Sequence, residues 1–131
     1  METTAAAGIV EIASSHSLEE TIGKLKTLLA ANGVTLFALV DHSGEAEKVG
    51  MKMPPTKLLI FGNPKGGTPV MLSAPTSAID LPLKILVREN EQGKVVMNYN
   101  SAEYLAQRHK IPAELLMNIS AAKTLAEKAT G

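Results

Sequence analysis

Residues 8–42 read GIVEIASSHSLEETIGKLKTLLAANGVTLFALVDH, and this stretch decides the fold. Gly8 to Ala13 is short and β-branched, the composition of a strand. Ser17-Leu18-Glu19-Glu20 has the spacing of a capping box, in which the Ser17 hydroxyl accepts an orphan N–H and Glu20 reaches back. Leu18, Ile22, Leu25 and Leu29 then recur every three or four residues, which predicts a helix with one apolar stripe over 17–32. Acids open it, Lys24 and Lys26 follow, and Asn32-Gly33 supplies a left-handed stop. Val34 to His42 reads as a second strand, apolar on both faces until Asp41.

Outward from there, Ser43 to Gly50 reads as a short helix capped by Ser43 and closed by Gly50. Lys57 to Phe61 (KLLIF) is a third strand, again apolar on both faces. Gly62 to Gly67 reads as a loop. Thr68-Pro69 follows as an N-cap and first helical residue of a short helix ending near Ala74. Pro82 to Glu89 and Lys94 to Asn100 form a hairpin around Asn90 to Gly93. Ser101 to His109 reads as helical, and Pro112 opens a final helix running to about residue 129. The order is β-α-β4-α, an α+β class: a mainly antiparallel five-stranded sheet, two main helices on one face, and short helical insertions. Residues 1–7 are expected to be a disordered N-terminus and 8–131 a single domain.

The bulk numbers narrow the function classes. At 131 residues, 45% apolar and 20% charged, the chain buries a real core and is neither disordered nor membrane-spanning. Thirteen basic residues balance thirteen acidic ones, and aromatic residues make up 3%, so nucleic acid is not an expected partner. Cys is absent, which excludes disulfides, thiolate chemistry and Cys-ligated metals. Met1 to Ala7 has neither a basic leader nor an apolar segment, so the cytoplasm is the expected location. Two main helices cover one sheet face only. The apolar second face then needs a cover, and a homodimer is the expected solution.

Several stretches together carry a resemblance. They are Asp41-His42-Ser43-Gly44-Glu45-Ala46 with Gly50, then Gly62-Asn63-Pro64-Lys65-Gly66-Gly67-Thr68-Pro69-Val70-Met71, then Asp80-Leu81-Pro82-Leu83-Lys84. Tyr99-Asn100 and Tyr104-Leu105-Ala106-Gln107-Arg108-His109 complete the set. In these motifs the chain resembles the domain-of-unknown-function family 302 over nearly its whole length after Ile9. The resemblance implies a TATA-binding-protein-like β-α-β4-α fold. It implies no DNA binding and brings no settled activity.

Four groups of residues carry possible chemistry. Gly62 to Pro69, a glycine-rich loop entering a helix, presents backbone N–H groups as an anion site, with Lys65 as a nearby charge. Lys65 precedes Gly66-Gly67-Thr68, so the nucleotide P-loop pattern fails; the bland alternative is a tight turn with Thr68 as cap. Asp41 and His42 at a strand end are acid–base candidates, or simply a turn cap and a solvated imidazole. Lys84 shares a strand face with Leu86 and Arg88, where it snorkels at an edge or lines a pocket, paired with Asp80, Asp41 or a ligand carboxylate. Tyr104 and Arg108 stack on one helix face as surface packing. His16, His42 and His109 lack helical ligand spacing, so no metal or cofactor is expected.

The leading reading is binding of a small anionic or acyl molecule between the sheet and the inserted helices, held by Asn63, Lys65, Gly66, Gly67 and Thr68. One alternative is a structural or adaptor homodimer using the apolar sheet face. Another is an enzyme with Asp41 or His42 as acid–base and Lys84 as a third candidate. Convergence of Asp41 or His42, Asn63 and Lys84 on one cavity separates the first and third from the second.

Overall fold

The computed structural model describes residues 2–131. Helix α1 (Leu18–Ala31) forms as its capping box dictates: the Ser17 hydroxyl accepts the Glu20 N–H at 3.1 Å, and the Glu20 carboxylate accepts the Ser17 N–H at 3.1 Å. Two orphan donors are thereby satisfied. Leu18, Ile22, Leu25 and Leu29 are its buried stripe.

Six strands form one sheet: β1 (Glu2–Ala6), β2 (Ile9–Ala13), β3 (Thr35–Asp41), β4 (Thr56–Gly62), β5 (Leu83–Glu89) and β6 (Val95–Asn100), in the order β1-β2-β6-β5-β4-β3. Every neighbouring pair is antiparallel. Strands β3 to β6 are a meander, α1 connects β2 to β3 at the opposite side of the sheet, and β6 closes beside β2. This is the expected β-α-β4-α arrangement with one strand added. Residues 2–6, expected to be frayed, pair with β2 instead, Thr4 opposite Val10 and Glu2 opposite Ile12. Edge pairing needs only backbone N–H and C=O groups, so a run of Thr and Ala suffices.

Alternation along the strands sorts the two faces. Leu59, Phe61, Leu83, Ile85, Val87 and Met97 are buried beneath α1 and the last helix, α5 (Ala121–Ala129). Leu58, Ile60 and Leu86 point the other way and are half-buried, alongside Lys84, Arg88 and Glu11. No described helix is long and apolar enough to cross a membrane.

The insertions differ from the sequence reading in three places. Helix α2 (His42–Lys48) is capped by the Asp41 carboxylate, which accepts the Gly44 N–H at 2.9 Å; Ser43 instead donates to Asp41. Helix α3 (Pro64–Ser73) begins before the glycines, because Asn63 is its cap and Pro64 its first residue. Asn-Pro satisfies the same cap rule as Thr-Pro, one turn earlier, and Pro69 is carried inside the helix. A 3₁₀ segment, Pro75–Ile79, follows it. Beyond α4 (Ala102–His109), the single helix expected from Pro112 is divided into a 3₁₀ segment, Ala113–Ile119, and α5. At the break the Ser120 hydroxyl donates to the Leu116 carbonyl at 2.8 Å, and the Asn118 amide donates to the Gly66 carbonyl of α3 at 3.0 Å. Asn118 is thus drawn out of the helical run.

Candidate functional site

A cavity of about 220 Å³ opens where β4 runs into α3. Its floor is Phe61 and Leu83 from the core face of the sheet. Its walls are Asn63, Pro64, Gly66 to Thr68 and Met71, the turn Leu81-Pro82, and Asn118, Ile119 and Ala121. Phe37 closes one side. The β3–β4 register slips between Leu36 and Ala38, so Phe37 is an extra residue in the strand. A Cβ at Gly62 would sit 3.3 Å from the Phe37 ring and 3.5 Å from Pro82, so these two side chains approach across bare backbone. Gly66 and Gly67 keep the helix wall thin in the same way. A Cβ at Gly66 would face the Asn118 carbonyl at 3.6 Å, whereas one at Gly67 would meet only the Met71 methyl, at 3.9 Å.

The lining holds no charged side chain. Its polar side chains are Asn63, Thr68 and Asn118. Asn63 uses its oxygen to cap Lys65 N–H at 3.0 Å, and Asn118 uses its nitrogen on Gly66. The remaining amide atom of each, with the Thr68 hydroxyl, makes up the polar side-chain equipment of an otherwise apolar space.

Of the residues singled out from sequence, Asn63, Gly66, Gly67 and Thr68 line this cavity and Lys65 does not. The backbone anion cradle expected there is absent. The Gly66 and Gly67 N–H groups both donate to the Asn63 carbonyl at 2.9 Å, and Lys65 N–H is held by the Asn63 side chain. The early start of α3 spends those donors inside the helix. Asp41, His42 and Lys84 do not reach the cavity either, so the convergence with Asn63 expected of a binding or catalytic site does not occur. The Gly44 N–H, with the Ser43 hydroxyl second, holds the Asp41 carboxyl below its ordinary range, which suits a cap and not a proton donor. His42 is an exposed first residue of α2. Lys84 donates to the Pro82 carbonyl at 2.8 Å and the Asp80 carbonyl at 3.2 Å, clasping the turn that holds the cis Leu81–Pro82 peptide. Burial pulls its pKa down while the Asp80 charge opposes the shift.

Phe37, Pro82 and Asn118 are lining residues that the sequence reading did not mark. Phe37 needs the bulge to turn inward, and Asn118 needs the broken helix. Neither leaves a local signal. Pro82, inside the quoted Asp80 to Lys84 motif, had one.

Comparison with known proteins follows the same outline. The chain is 40% identical over 104 residues to proteins named fluoride-specific ion channel FluC 1 in Brucella suis biovar 1 and in Brucella abortus biovar 1. The match covers 79% of this chain but only 41% and 38% of those relatives, so the chain spans less than half their length. The crystal structure of an uncharacterized conserved DUF302 protein from Bacillus stearothermophilus superposes with a TM-score of 0.79 at 17% identity, over 95% of this chain and 97% of that one. At that identity the likeness speaks for the fold. The family model described as domain of unknown function DUF302 matches residues 10–129, and the chain belongs to that family.

Proposed function

We propose that this domain binds a small, uncharged molecule with an acyl or aliphatic body in the cavity between β4, α3 and the Leu81-Pro82 turn. One observation carries this: the cavity is lined by apolar side chains and three neutral polar ones, with no charge to pair with an anion. The expectation of an anionic or acyl ligand is thereby narrowed to the neutral acyl class. Desolvating a carboxylate without a partner is unfavourable by several kcal/mol, whereas an amide finds its complement in Asn63, Thr68 and Asn118. At about 220 Å³ the space suits fewer than a dozen heavy atoms. At about 0.5–0.7 kcal/mol per atom, an eight-atom ligand would bind with a Kd of about 0.08–1 mM.

The test compares hexanamide, hexanoate and hexylammonium by ligand-observed NMR. Hexanamide should bind and Gly67→Val should abolish that binding. Preferred binding of hexanoate, or hexanamide binding that persists in the folded variant, would refute the assignment. The relatives' name raises a second reading, a fluoride site in this domain. No charged side chain lines the cavity, so sodium fluoride should not displace hexanamide there. Since no described helix can cross a membrane, we read this domain as matching a portion of those relatives that stands beside their conducting part.

We further propose that two copies pair through the open sheet face. Arg88 donates through Nη2 to Glu11 Oε1 at 2.8 Å and through Nε to Asn98 at 2.9 Å. Among the described residues Nη1 and Glu11 Oε2 are left over, a donor beside an acceptor, which a two-fold axis makes self-complementary. Leu58, Ile60 and Leu86 flank them. Light scattering should give a dimer that Arg88→Glu disrupts and that Glu11→Arg combined with Arg88→Glu restores. A monomer in the unaltered chain would remove this reading.

A further inference from the structure

Away from the cavity, three residues distant in sequence meet in a chain of hydrogen bonds. Asp80 Oδ2 lies 2.6 Å from His109 Nε2 and accepts Arg108 Nη1 at 3.0 Å. The other ring nitrogen, His109 Nδ1, lies 2.8 Å from Thr76 Oγ1. The His109 side chain is only 5% exposed, while Thr76 is at the surface.

Proton placement in this chain follows from what each group can do. A carboxylate between a guanidinium and an imidazole can only accept, so Nε2 carries the ring proton. In the neutral ring Nδ1 then holds a lone pair, and the Thr76 hydroxyl is the donor. A hydroxyl hydrogen-bonded to a neutral imidazole, itself oriented by a half-buried carboxylate, is the arrangement that activates an oxygen nucleophile. The backbone fixes it from both ends. Thr76 follows Pro75 in the 3₁₀ segment that Asp80 terminates, and Lys110, in the left-handed conformation, ends α4 directly after His109. The neighbouring Ser77 hydroxyl is 1% exposed and makes no hydrogen bond, so it is sealed from any substrate in solution. Thr76 is the accessible hydroxyl of the pair.

We propose that Thr76 is an activated nucleophile that accepts acyl groups from activated esters. With p-nitrophenyl acetate, Thr76 Oγ forms a bond to the carbonyl carbon and the bond to the aryl oxygen breaks. Nitrophenolate leaves with the electron pair. The threonine proton passes to His109 Nδ1, giving an imidazolium held by Asp80, and from there to solvent. The product is an O-acetyl ester at Thr76. This reaction is independent of the cavity, since none of Thr76, Asp80 and His109 lines it.

The experiment is peptide-resolved mass spectrometry of the whole chain after exposure to p-nitrophenyl acetate, with nitrophenolate release followed across pH. Acetylation should be found on Thr76, rise with pH as general-base catalysis requires, persist in Thr76→Ser, and slow by about 100-fold or more in His109→Gln. The groups facing His109 are Asp80 and Arg108, with the Lys84 charge next to Asp80, so the pH profile should change in Arg108→Gln. Folding of each variant is checked by circular dichroism; should His109→Gln fail to fold, the pH profile and the labelled position of the unaltered chain decide. Label confined to lysines, or a Thr76 rate that ignores both pH and His109, would overturn the proposal.

Discussion

Replacing Gly67 with valine should make the protein more stable while removing its ligand site. The added Cβ meets nothing but the Met71 methyl at 3.9 Å, an ordinary contact, and otherwise enters the cavity. Valine is about 0.3–0.5 kcal/mol better than glycine in a helix interior. Three carbons moved from water into apolar space contribute up to about 2.4 kcal/mol at ~0.8 kcal/mol each. Loss of rotamer freedom takes back about 0.5 kcal/mol. The net expectation is a gain of about 1–2 kcal/mol, or a rise in Tm of about 3–8 °C for a chain of this length. Differential scanning fluorimetry reads the stability, and NMR with hexanamide reads the binding. Gly62→Ala is the contrasting variant: its Cβ would lie 3.3 Å from the Phe37 ring, which must shift to admit it, so it should not share the gain of Gly67→Val. A destabilised Gly67→Val, or one that still binds hexanamide, would refute the claim that this helix face borders an open cavity.

Three further outcomes follow from local geometry. Gly8 sits at φ +75° with Tyr104 against it, so that any Cβ would land on the ring; Gly8→Ala should lose about 2 kcal/mol or more in urea denaturation. Ser17→Ala removes the α1 capping box and should cost about 1 kcal/mol, with Ser17→Asp largely restoring it. Asp41 and Glu20 both titrate below their usual range, Asp41 through the Gly44 N–H and Glu20 through the Ser17 N–H. Their stabilisation is therefore present above the ordinary carboxylate pKa and is lost as pH falls through the lower folded values; denaturant midpoints at successive acidic pH values should fall less in Asp41→Asn than in the unaltered chain.

How much of this was legible beforehand depends on the range of the interactions. α1 is readable to within a residue because its cap, each step of its stripe and its stop are all set by residues no more than four apart in the chain. The β3–β6 meander was readable because alternation and turn residues are also local. The start of α3 was misplaced because two Xaa-Pro pairs, Asn63-Pro64 and Thr68-Pro69, both satisfy the same rule, and only the packed structure chooses between them. That choice matters chemically, since it converts a presumed anion cradle into the apolar wall of a cavity. The split after Pro112 depends on the Asn118 bond to Gly66, 52 residues away. The His109–Asp80 pair spans 29 residues, so no reading of α4 alone could show that its last turn meets a carboxylate.

The turn from Asp80 to Leu83 joins the two proposed sites and makes their tests separable only with chosen variants. Leu81, Pro82 and Leu83 line the cavity, while Asp80 at the head of the same turn orients His109. Lys84 grips the Asp80 and Pro82 carbonyls between them. An Asp80→Asn change therefore disturbs both sites, and loss of either activity in it assigns nothing. Gly67 touches only the cavity, and Thr76 only the imidazole. Gly67→Val should abolish hexanamide binding and leave acetylation of Thr76 unchanged. Thr76→Val should do the reverse. If either substitution removes both properties, the two sites are one site, and the turn between them is its hinge.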